Sequence, residues 1–100
     1  LHSLAAGRVV ETLAGHRERI DTIDAELVAL LNARAGHALA IGRLKHAAGL
    51  PVFQPEREAA VLAHVRAVNQ GPLDDGAITR LFERIIDENR RLERLADAGR

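Results

Sequence analysis

Ile20-Asp21-Thr22-Ile23-Asp24-Ala25-Glu26-Leu27-Val28-Ala29-Leu30-Leu31-Asn32-Ala33-Arg34-Ala35-Gly36-His37-Ala38-Leu39-Ala40-Ile41-Gly42-Arg43-Leu44-Lys45 is the stretch that decides the fold. Ile20, Ile23, Leu27, Leu30, Arg34, His37, Ile41 and Leu44 recur in alternating steps of three and four, the period of one packed helix face. A cation, Arg34, interrupts this apolar stripe, and Lys45 follows eleven residues later. Eleven residues is close to three helical turns, so the two side chains project the same way, roughly 16 Å apart along the axis. A cation facing a helix interface is costly unless something negative meets it there. Two at this spacing point to a buried anion site. The plainer alternative is that each snorkels to water or pairs with a local acid.

Outward from this stretch, no proline occurs from about Val9 to His46, which predicts one helix of some 35 residues, about 50 Å long. Gly15, Gly36 and Gly42 weaken it by up to ~1 kcal/mol each relative to Ala, and small residues also permit close helix approach. Ala48-Gly49-Leu50-Pro51 ends it, Gly49 being placed for a C-cap and Pro51 unable to continue. Pro55 suits the first position of a second helix, whose dipole Glu56 and Glu58 complement, running to about Gln70 before Gly71-Pro72. Asp74 or Asp75 then caps a third helix through Ile78, Leu81, Phe82, Ile85 and Ile86 to about Ala96. The fold class is all-α, with one long helix and two shorter ones. Residues 1–12 read as an extension or the start of the long helix, and residues 13–96 as the functional domain. Helices two and three, roughly 24 and 33 Å, together match the first. A lone protomer would therefore leave much of the long apolar face wet, so a homodimer with long helices packed together is expected.

Composition narrows the function. One hundred residues make a single domain whose own core is marginal. The only aromatics are Phe53 and Phe82. Without cysteine, disulfides and thiolate metal sites are excluded, and the cytoplasm is the expected location. Fourteen basic residues balance fourteen acidic ones, leaving no electrostatic footprint for nucleic acid or an anionic membrane surface. No apolar run approaches a membrane span, and the opening residues do not read as a signal peptide. The first residue is Leu1 rather than Met, which fits a processed form or a piece of a longer product.

Few residues are arranged for covalent or metal chemistry. His2, His16, His37, His46 and His64 form no HExxH motif or i, i+4 pair, so no metal is expected, and His37 reads as a core histidine. Ser3, Thr12, Thr22 and Thr79 have no base nearby in sequence. What remains is a polar set able to face a helix interior: Arg34 and Lys45, Arg57 and Glu58 at the start of helix two, and Asn89 and Glu93 where the stripe of helix three turns polar. Singly, Arg57 and Glu58 read equally as a solvated first turn, and Glu93 as a partner of Arg90 or Arg94. Together they describe a pocket between three helices, rich in guanidinium and ammonium groups.

Arg17-Glu18-Arg19-Ile20-Asp21-Thr22-Ile23-Asp24, Leu30-Leu31-Asn32-Ala33-Arg34 and Ile41-Gly42-Arg43-Leu44-Lys45 resemble the long helix of the all-helical chorismate mutases. Pro51-Val52 with Pro55-Glu56-Arg57-Glu58, and Ile78-Thr79-Arg80-Leu81-Phe82-Glu83-Arg84-Ile85-Ile86, resemble that family's second and third helices. The resemblance covers about residues 13 to 95 and implies conversion of chorismate to prephenate, a [3,3] rearrangement needing no cofactor, by an intertwined homodimer. It further implies that Arg34 and Arg17 hold substrate carboxylates, and that Lys45 reaches a carboxylate and the ether oxygen. Arg57 and Glu58 line the site, Glu58 accepting the ring hydroxyl proton; Asn89 lies near a carboxylate, and Glu93 is the second group at the ether oxygen. Arg17 is seventeen residues from Arg34 and twenty-eight from Lys45, about 25 and 42 Å along a straight helix, so either the partner protomer supplies it or it does not belong to the site; the resemblance implies the first. Two positions depart from common family usage: Gln54 where some relatives carry Asp, and Glu93 where many carry Gln. Isochorismate-pyruvate lyase shares the fold and the cationic clamp, but Glu58 favours the mutase. A non-catalytic helical dimer module of a shikimate-pathway fusion is the other alternative.

Overall fold

The structure, a computed structural model, describes residues 11–99. Three helices make up the architecture: α1 (Leu13–Ala48), α2 (Pro55–Val68) and α3 (Asp75–Ala98). No strand occurs among the described residues, as the all-α reading expected. The chain divides between Ala33 and Arg34 into two compact units. No helix of the described residues is long and apolar enough to cross a membrane.

In the first unit, Thr12 caps α1: its Oγ1 accepts a hydrogen bond from the Gly15 backbone N–H at 2.9 Å, satisfying one of the donors a helix start leaves unpaired. The earlier start expected near Val9, and residues 1–10 of the expected 1–12 extension, lie outside the described residues. Ile20, Ile23, Leu27 and Leu30 carry the apolar stripe, and all four are exposed within this chain, Leu30 at 66%.

The second unit holds the rest of α1 with α2 and α3. Gly49 ends α1 with φ +71, a conformation costly for any residue with a Cβ, and the Leu50 N–H returns to the Lys45 carbonyl at 2.8 Å. Pro55 opens α2 as expected. That helix stops at Val68, two residues before the expected end. Asn69 explains the difference: its side-chain amide donates to the Leu73 carbonyl and to Asp75 Oδ1, both at 2.8 Å, and its Oδ1 accepts from the Gly71 N–H. These bonds hold residue 69 extended (ψ 127). Asp74, rather than Asp75, caps α3, accepting from the Ala77 N–H at 2.7 Å, and the helix continues two residues beyond the expected Ala96. Helices α2 and α3 pack on each other. Among the described residues, Ala38 and Val65 are the only buried apolar side chains, so the core of one chain is slight.

Candidate active site

A cavity of about 390 Å³ lies within the second unit, walled by all three helices and the α1–α2 loop. Helical spacing delivers its lining. Arg34, Ala38, Ile41 and Lys45 come from one face of α1; Val52 and Gln54 from the loop; Arg57, Glu58 and Val61 from the start of α2; Ile86, Asn89, Arg90 and Glu93 from one face of α3. Seven residues expected at the site are thus brought together: Arg34, Lys45, Gln54, Arg57, Glu58, Asn89 and Glu93. Arg17, the eighth, belongs to the first unit, where it is exposed. His37 also lines the cavity and is exposed, not a core histidine within this chain.

The polar groups are tied across elements. Arg34 Nη1 donates to Asn89 Oδ1, joining α1 to α3 and leaving the Asn89 amide hydrogens to face a ligand. Lys45 Nζ donates to the Val52 carbonyl at 2.9 Å, which fixes the ammonium while two of its hydrogens remain for other acceptors. Glu93 Oε2 stands 3.7 Å from Lys45 Nζ, beyond hydrogen-bond reach. That oxygen is buried and has no hydrogen-bond partner among the described residues. Its charge is met instead by the Lys45 ammonium, the two forming an ion pair in the cavity wall.

Charge sets what that ligand is. Arg34, Lys45, Arg57 and Arg90 face the cavity against the two carboxyl groups of Glu58 and Glu93. Burial first, and then the positive charge of Arg57, lowers the pKa of Arg34 from its ordinary value. The protein thus holds like charges together in a partly dry space, an arrangement relieved when an anion enters. The cavity suits a small, multiply anionic molecule with hydrogen-bonding groups at its far end.

Arg90 is the residue the sequence reading missed. Taken there only as a surface partner for Glu93, it instead donates to Glu58 Oε2 and lies 4.8 Å over the Phe53 ring. Its signal was available: Ile86, Arg90 and Glu93 advance by four and three along one face of α3. The Val52 carbonyl had no signal, since any residue there carries the same acceptor.

Residues 16–94 match the family profile described as chorismate mutase type II. A bifunctional chorismate mutase/prephenate dehydratase of Neisseria gonorrhoeae is 50% identical over 84 residues, covering 84% of this chain and 23% of that protein. The chain spans about a quarter of the length of such bifunctional relatives. A chorismate mutase of Methanocaldococcus jannaschii is 28% identical, the match covering 86% of this chain and 88% of the relative. The solved chorismate mutase of Thermus thermophilus (form II) superposes with a TM-score of 0.77 at 37% identity, over 78% of this chain and 89% of that one. The family that the helix-one, helix-two and helix-three motifs resembled is the one to which profile, sequence and fold all lead: this chain belongs to the type II chorismate mutases.

Proposed function

We propose that residues 13–96 form a chorismate mutase domain that converts chorismate to prephenate. Within one molecule the ether C–O bond breaks as a C–C bond forms, so no cofactor, covalent intermediate or net proton transfer is required. The domain's task is to hold the dianion in its folded, chair-like conformer and to stabilise negative charge growing on the ether oxygen. Arg34, with the Asn89 amide beside it, takes a carboxylate. Lys45 reaches a carboxylate and the ether oxygen, and Glu93 is the second group at that oxygen. Glu58 accepts the ring hydroxyl, while Gln54 and Arg57 complete the wall. The observation that carries this reading is the Lys45–Glu93 ion pair in the wall of a cavity with an excess of cations.

The functional unit in this reading is a homodimer in which Arg17 completes the partner's site. Support comes from the long sequence separation of Arg17 from Lys45 along one helix, and from the exposed Ile20, Ile23, Leu27 and Leu30. A dimer interface over that face would remove apolar area from water. We place the chemistry in the cytoplasm, where a cysteine-free domain needs no oxidising compartment.

Incubating the purified protein separately with chorismate and with isochorismate tests the assignment. Prephenate from chorismate is expected. Salicylate from isochorismate, with chorismate left intact, would instead make the domain a lyase.

A further inference from the structure

Gly42 lies three residues before Lys45 on α1 and is buried. Its φ is not positive, so its backbone suits any residue, and alanine would be the better helix former. The space around it gives the reason for a glycine. A Cβ built at Gly42 would fall 3.2 Å from Glu93 Cγ and 3.6 Å from both Glu93 Cβ and Oε2. Gly36, on the same helix, has nothing within 4 Å of such a Cβ. The bare backbone of α1 therefore lies directly against the stem of Glu93, a residue of the cavity wall.

We propose that Gly42 is a positioning residue: by carrying no side chain, it lets α1 press on the Glu93 stem and holds the Glu93 carboxyl in the cavity wall, with Oε2 3.7 Å from Lys45 Nζ. This rests on the reading of Glu93 as the second group at the breaking ether bond. A methyl group at 42 makes the Glu93 side chain give way by a few tenths of an ångström. The carboxyl is then displaced from the ether oxygen while the carboxylate clamp of Arg34 and Asn89 is untouched. Binding survives and the transition state loses a partner.

The test is a double-mutant cycle of Gly42→Ala with Glu93→Ala, with Gly36→Ala as the helix-propensity control. Gly42→Ala is expected to lower kcat about tenfold, short of the ~10²-fold that a full ångström of misplacement costs, with KM within about twofold. Gly36→Ala should leave both unchanged. In the Glu93→Ala background, where no Cγ remains to be displaced, Gly42→Ala should cost no further activity and should raise Tm more than it does in the wild-type chain. The Tm comparison stands even if Gly42→Ala alone folds poorly. Equal losses of activity and equal Tm shifts in both backgrounds, or a fully active Gly42→Ala beside an impaired Glu93→Ala, would overturn the positioning role alone. A fully active Glu93→Ala would overturn the assignment of Glu93 and this inference with it.

Discussion

Replacing Arg34 by Met separates what this residue does for turnover from what it does for folding. The substitution keeps a long unbranched stem in the cavity wall but removes the guanidinium that donates to Asn89. Loss of a preorganised donor aimed at developing or bound negative charge raises the barrier by about 2.7–4 kcal/mol, so kcat/KM should fall on the order of 10²–10³-fold. Folding should barely notice. The lost bond to Asn89 costs about 0.5–1.5 kcal/mol. Against it stands the lowered pKa of Arg34, caused by burial and then by Arg57. A cation whose pKa is lowered on folding costs stability at every pH where it stays protonated, here the whole accessible range, so its removal relieves the same amount at acid, neutral and mildly alkaline pH. The two effects oppose each other. Steady-state conversion of chorismate, paired with urea unfolding at a fixed protomer concentration, reads both quantities. A variant with kcat/KM within a few-fold of wild type, or one whose lost activity is matched by an equally large lost stability, would refute the reasoning.

Three further outcomes are expected. Mixing Arg17→Ala with Lys45→Ala subunits under conditions of exchange should restore activity, since one of the two sites in each heterodimer is then intact; no recovery despite demonstrated exchange counts against a shared site. Glu93→Gln keeps the shape of the side chain and supplies an amide donor, so it should keep activity at neutral pH where Glu93→Ala loses it; a Glu93→Gln variant as impaired as Glu93→Ala contradicts this. Arg90→Met should cost about 1 kcal/mol of stability, the upper end for a pair only partly shielded from water, and should raise KM for chorismate more than it lowers kcat, because Glu58 loses its anchor. An unchanged KM would make Arg90 purely a tie between α2 and α3.

The ends of the helices show which features can be read locally. Gly49, Pro55 and Asp74 act within one turn of their own backbone, so their roles follow from the residues beside them. The end of α2 does not, because Asn69 extends the chain only by reaching Leu73 and Asp75 beyond the turn. The same division holds inside the cavity. Arg34, Lys45, Asn89 and Glu93 could be placed on helix faces by threes and fours, Arg57 and Glu58 stood out at the start of helix two, and the family resemblance added Gln54. The destination of Arg90 could not be placed so. On its own helix Asp87 offers an oxygen at 3.6 Å, and sequence spacing favours such neighbours; only the packing of α2 on α3 brings Glu58 within reach.

Those cross-element bonds bear on catalysis as well as on folding. Arg34 is held from α3 by Asn89, Lys45 from the loop by the Val52 carbonyl, and Arg90 from α2 by Glu58. Each cation is thus restrained by an acceptor on a different element, yet two of those acceptors are neutral and leave its charge in place. A dianion entering such a site meets donors that need little reorganisation, which is the condition under which electrostatic stabilisation is worth most. Glu93 is the exception, with an oxygen that accepts no hydrogen bond among the described residues and a stem lying against the bare backbone at Gly42. Only the Lys45 ammonium, 3.7 Å away, offsets its charge. Glu93 thus stands where the reacting bond is proposed to lie, and it is the group whose loss should lower kcat rather than weaken binding.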